Sequence, residues 1–221
     1  MPDQIYNANT RKFLRASYGE GDVKTLDMNS RGDLLAAMAL PERTEIVRQG
    51  ASFHAQIPLA SAWTLLITVP TTLANLSLQN GEAVGGKSYV IERFWIKNTT
   101  STASAGVITP LSQLVAPGTA LVANDATVLR TSLNGNKKTA SSLAQLVMAS
   151  TVTGCLQDKW NHHPSVVQSP TTNIATVVEV LCYGRYIVPP QGSFNINAQE
   201  SVSGGAAICG VEWHEIQLDC N

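Results

Sequence analysis

Gly81, Gly86, Lys87 and Ser88 meet the spacing G-x-x-x-x-G-K-[ST] letter for letter. In a phosphate-binding loop that spacing aims backbone N–H groups at phosphates, brings the lysine to the terminal ones and offers the hydroxyl to magnesium. The chemistry needs a strand before the motif and a helix after it, because the helix N-terminus completes the anion site. Ser88 is succeeded by Tyr89-Val90-Ile91-Glu92-Arg93-Phe94-Trp95-Ile96, a run dense in the β-branched and aromatic residues that favour strands. Read with period two, Val90, Glu92, Phe94 and Ile96 share one face, and Tyr89, Ile91, Arg93 and Trp95 the other. Leu76-Ser77-Leu78 alternates as well, so the glycines are expected in the turn of a hairpin. The nearest approach to a second nucleotide motif, Leu121-Val122-Ala123-Asn124-Asp125, is short and interrupted by asparagine. Nucleotide chemistry is not expected.

Two other clusters carry reactive groups. Asp158-Lys159-Trp160-Asn161-His162-His163-Pro164 places two histidines side by side. In a strand they would point to opposite faces, and no third ligand stands at metal-binding spacing. The segment reads as an exposed loop, with Trp160, His162 and His163 as candidate partner or ligand contacts, since exposed tryptophan is favoured at recognition sites. Glu212 and His214 share a face of the last strand, with Glu215 opposite. Such a pair can do acid–base work, but a solvent-facing strand beside a core face that carries Trp213 explains it more simply. Arg31-Gly32-Asp33 reads as a turn and a helix cap. No catalytic residue, metal or cofactor is expected, and the chain is not expected to be an enzyme.

These groups sit on a chain that reads as almost all β from residue 53 onward. Expected strands cover 63–69, the runs on either side of the glycines, 175–188, 193–198 and 206–218, with shorter candidates at 107–109, 119–122 and 127–133. Residues 143–153 fit either a strand or a helix. About eight strands with turns every 8–12 residues indicate a sandwich or barrel, and the long, uneven middle connections favour a jelly roll. The expected fold is therefore all-β: a jelly-roll-like antiparallel β-sandwich over 53–221, preceded over 1–52 by an N-terminal arm. Within the arm, residues 30–41 offer a short helix that Ser30 or Asp33 would cap and Pro41 would stop. Arg11, Lys12 and Arg15 in this charged arm are further candidate contacts. The arm would either dock on neighbouring subunits or fold back on its own domain.

Composition narrows the partners. Only 14% of residues are charged and the net charge is −1, so no long-range field draws nucleic acid or anionic lipid. No apolar run approaches the roughly twenty residues that span a bilayer, and MPDQIYNANTRKF lacks the apolar core of a signal peptide. Cys155, Cys182, Cys209 and Cys220 are too widely spaced for a C-x-x-C motif. Reduced thiols are expected, with a Cys182–Cys209 bridge open only if their strands pair.

Gly32-Asp33-Leu34-Leu35, the run Leu40 to Arg48 and the run Leu78 to Tyr89 resemble uncharacterised virion proteins of tailed bacteriophages, over residues 30–98. The closing pattern of strand, Pro-Pro-x-Gly, strand, Gly-Gly and a strand with Glu-Trp-His-Glu is similar to the last strands of viral jelly rolls. The resemblance implies a structural role in the virion, as a head decoration (cement) protein or else a collar or tail component, assembled in the host bacterial cytoplasm. It implies a homo-oligomer, a trimer first, with the major capsid protein or other virion proteins as partners. The alternative from the residues is a tail- or collar-associated sandwich that binds a receptor or glycan.

Overall fold

The computed structural model describes residues 46–47, 49–100, 106–117, 121, 123–128, 130–134, 142–168, 176–202 and 204–217. The expected arm up to residue 45, its helix over 30–41, Arg11, Lys12, Arg15 and Cys220 lie outside them. Twelve strands are described: β1 (Ser52–Gln56), β2 (Trp63–Thr64), β3 (Leu73–Asn80), β4 (Ser88–Thr100), β5 (Gly106–Val115), β6 (Arg130–Ser132), β7 (Ala144–Thr151), β8 (Asn161–His162), β9 (Val166–Gln168), β10 (Val177–Val188), β11 (Ser193–Glu200) and β12 (Ala206–Ile216). The first sheet runs β10-β4-β12-β1-β6 with β2 on β12, and the second runs β7-β3-β11-β5-β8 with β9 on β5.

The pairing is nested. β1 pairs with β12, β3 with β11, β4 with β10, and β5 with β8 and β9, all antiparallel. A long hairpin rolled so that its outer pairs fall in alternate sheets gives this order, which is the jelly roll. β6 and β7, inserted between β5 and β8, lengthen one edge of each sheet. Inward residues interdigitate as two packed sheets require: Phe53, Leu76, Leu78, Phe94, Phe194, Val211 and Trp213 belong to one buried cluster. Phe94 meets Phe194 edge-on at 5.8 Å across it.

Strict alternation fails in β4. Arg93 lies opposite Glu212 but Ile91 opposite Trp213, leaving Glu92 as an extra residue. On the other side, the register jumps from Leu181–Arg93 to Tyr186–Ile91. Residues 182–185 of β10 therefore arch over one residue of β4, with Tyr183 and Gly184 at φ 49° and 73°, left-handed values that a bulge accommodates. The bulge flips the phase, so that Tyr89, Ile91, Phe94 and Ile96 are all fully buried while Arg93 and Trp95 face outward. The expected sharing of a face by Ile91 and Trp95 is thus corrected.

Two further expectations change. Residues 63–69 form no single strand: Trp63 and Thr64 pair with β12, and Leu66 then bridges to Gln199 of the other sheet. The run crosses between sheets, so no one ladder can take all its backbone groups. The glycine segment does not close a hairpin either, because β3 and β4 lie in opposite sheets. Residues 144–151 resolve as strand β7. Cys155, Cys182 and Cys209 are free and buried; β4 stands between the strands of the last two, so no ladder joins them. Burial lifts the Cys182 thiol to about 12.

The end of β11 holds a buried titratable group. Glu200 is buried, and its carboxylate accepts the Gly205 N–H at 3.2 Å; a Cβ on Gly205 would overlap it. Burial raises its pKa above the ordinary carboxylate value, against the pull of the Gly205 bond. The folded chain thus holds this proton more tightly than the unfolded one. Stability falls as pH rises from the ordinary value through the raised one, and stays lower above it. Glu200→Gln is expected to raise the urea midpoint at neutral pH, with the gain shrinking near the ordinary carboxylate pKa. A lower midpoint at neutral pH would count against this reading.

Candidate functional site

The two outer faces differ. On the second sheet, Leu111 and Val115 of β5 and Ala74 of β3 are buried with Val152, Cys155 and Trp160. The outward polar residues there are buried too, and Asn75 donates to Asn197 Oδ1 at 2.7 Å. On the first sheet, four adjacent strands leave a groove of about 580 Å³.

Strand register sets the groove in three rows. The central row is Glu179, Trp95, Gly210 and Gln56, from β10, β4, β12 and β1. The row on one side is Arg93, Glu212 and His54, and on the other Val177, Lys97 and Ile208. Gly210 is indispensable to the middle row: a Cβ there would sit 2.5 Å from Cζ2 of Trp95. Its absence lets the indole lie on the β12 backbone. Arg93 locks the floor. Its Nε and Nη2 donate to Glu212 at 2.7 and 2.5 Å, and its Nη1 to Glu179 at 2.5 Å, the two-pronged geometry that fixes a carboxylate most firmly. Both carboxylates accept from the guanidinium, so neither Glu179 nor Glu212 is placed as a general acid. Burial pushes His54 below its ordinary value, against the pull of Glu212, leaving a neutral imidazole at pH 7. The groove offers donors, acceptors and one aromatic platform, and no nucleophile.

At the glycine corner, Lys87 Nζ lies 3.7 Å from the buried carboxylate of Glu215. Ser88 opens β4, and no helix comes after it. Asn80 organises the bend: its Nδ2 donates to Lys87 O at 2.9 Å and Val188 O at 3.0 Å, and its Oδ1 accepts Glu82 N–H at 3.0 Å. The segment is a corner between sheets, with no helix dipole to hold a phosphate.

The residues expected around Trp160 are brought together in sequence but pulled apart in space. Trp160 is 5% exposed and its Nε1 donates to Pro70 O at 2.9 Å, so it anchors a surface segment and offers no stacking face. His163 turns inward, 2.7 Å from Ser112 Oγ and edge-on to Phe94; His162 is exposed. Glu212 and His214 share the outer face, yet each has another partner. His214 lies 2.9 Å from Ser52 Oγ and 3.3 Å from Glu92 and is buried, correcting the solvent-facing expectation. Among the described residues no group of three or more His, Cys, Asp and Glu is placed to hold a metal ion.

Sequence reasoning missed the groove. Its signal was alternation without solvent character, Arg93-x-Trp95-x-Lys97 facing Ile208-x-Gly210-x-Glu212. A glycine inside a strand marks close approach of another group, here Trp95.

No family model matches the chain, and no curated protein matches it. A chain from a solved structure described as "KBV activated particle at acidic pH", from an insect virus, aligns over 91% of this chain and 86% of that one, at 11% identity and a TM-score of 0.21. A likeness at that level carries no argument about fold or role. The jelly roll rests on the strand pairing alone.

Proposed function

We propose that the protein is a structural component of a bacteriophage virion, a head decoration protein that binds the capsid lattice as an oligomer and has no catalytic role. One observation carries the reading: among the described strands, β10 forms an outer edge of the first sheet. There β10 pairs only with β4, and it exposes Val177, Leu181 and Ile187 along its 12 residues. A long edge strand with exposed apolar residues is a liability in a solitary domain and an asset where subunits meet. The resemblance over residues 30–98 adds the phage context, with the major capsid protein as partner and assembly in the host cytoplasm. A trimer would bury the three edges and present repeated contacts to a lattice.

Virions purified from infected cells test this. The protein is expected at hundreds of copies per particle, and deletion of residues 1–29 is expected to abolish incorporation while the body still folds and associates. Absence from particles would overturn the reading, and a dozen copies or fewer would move it to the collar or tail. Full incorporation of the truncated chain would remove the arm from the mechanism.

A further inference from the structure

We propose that the groove on the outer face of the first sheet binds a neutral sugar ring, with Trp95 as the stacking platform. This goes beyond the virion reading: the site takes Val177 and Glu179 from β10 through their outward side chains and needs neither the backbone edge of that strand nor the arm.

Three observations point the same way. One face of the indole rests on Gly210, where a Cβ would overlap it, and the ring still lines the groove. A flat aromatic surface held by backbone matches the C–H face of a pyranose, which gains dispersion and hydrophobic contact without demanding charge. Next, hydrogen-bonding groups flank the ring on both sides along its own row: Glu179 from β10 and Gln56 from β1, both exposed. Glu179 is held in place by Arg93, so its free acceptor positions are already oriented for hydroxyl donors. Gln56 supplies a donor and an acceptor, and the neutral His54 adds both kinds nearby.

Charge balance selects among ligand classes. The groove walls carry two cations, Arg93 and Lys97, and two carboxylates, Glu179 and Glu212. Arg93 is satisfied by both carboxylates, so no net field remains to recruit a phosphate or a strongly charged peptide. A polyhydroxylated, uncharged ligand meets this wall at least cost. The volume of about 580 Å³ lies in the usual range for small-molecule sites and leaves room for more than one sugar ring.

The full chain is titrated calorimetrically with maltotriose, cellotriose and triacetylchitotriose, and indole fluorescence is followed in parallel. At least one is expected to bind, and Trp95→Ala to weaken that binding by about tenfold or more. Trp95→Phe should fall between. Should Trp95→Ala fail to fold, Gln56→Ala at its exposed position serves instead, with a several-fold loss expected and an unchanged urea midpoint. Absence of binding by all three sugars overturns the proposal. So does binding that survives both alanine variants, or tighter binding of a glutamate-rich decapeptide than of any sugar.

Discussion

Trp213→Ala is expected to lower folding stability by about 3–5 kcal/mol, the range for removing a buried aromatic side chain. Trp213 is fully buried and stacks on Phe53 with centroids 5.7 Å apart, while Tyr89 tilts against it at 6.4 Å. These three rings come from β12, β1 and β4, neighbouring strands of the first sheet, so truncating the middle one opens a void beside the other two. The indole N–H also donates to Glu215 Oε1 at 3.3 Å. Burial already raises the pKa of that carboxyl, although Ser142, Trp213, Lys87 and Arg130 each oppose the rise. Loss of a donor therefore adds to the cavity term. Domains are typically stable by only about 5–15 kcal/mol, so the variant should sit near its unfolding threshold. Urea denaturation followed by far-UV circular dichroism measures the loss. A change under about 1 kcal/mol would mean that the core closes around the gap, contrary to the close packing of protein interiors.

Asn80→Ala is expected to cost about 2–4 kcal/mol, because one amide satisfies three backbone groups at a buried corner and each group left orphaned has its own penalty. Asn80 is fully buried at the end of β3. Besides its side-chain bonds to Lys87, Val188 and Glu82, its own backbone is bonded to the turn before β11, accepting from Gln191 N–H and donating to Gly192 O, both at 2.9 Å. It therefore ties the 81–87 crossing to the end of β10 and the start of β11. Asn80→Asp replaces the two donors with an acceptor facing two carbonyls, and should be at least as damaging as alanine at neutral pH. Equilibrium urea melts of both variants test this. Near-native stability for the aspartate variant would show that the corner is held by its glycines and not by Asn80.

Both variants act on the scaffold, whereas Trp95 and Gln56 lie on its outer surface. That separation allows loss of ligand binding to be distinguished from loss of fold.

Local patterns made the β class and most strand positions legible. The alternation over 177–188, 193–200 and 206–216 needs only the two-residue repeat of an extended chain, and Pro189, Pro190 and Gly192 mark the intervening turn as plainly in sequence as in space. The failure of the phosphate-loop match was legible too, because strand-forming residues come directly after Ser88. The nested order of strands was reachable as a class, through the number and spacing of turns, but not as a register.

What escaped was set by non-local partners. Nothing within residues 88–100 announces that Glu92 is an extra residue; that depends on the lengths of β10 and β12 laid on either side. Asn75, Asn195 and Asn197 are buried because a remote segment covers part of that sheet face, and they bond each other, Ser193 or nearby backbone. Trp160 stands in a polar stretch and Trp95 between Phe94 and Ile96, yet their exposures run the other way from what those neighbours suggest. Trp160 is buried with its N–H on a remote carbonyl, and Trp95 is half-buried over a glycine 115 positions later in the chain. The amino-acid order alone therefore determined the β class, a bend at the glycines and a surface without strong charge, since each depends on neighbours a few residues apart. Tertiary structure alone decided which tryptophan is available and where the groove lies, because both depend on which strands become adjacent when the long hairpin rolls up.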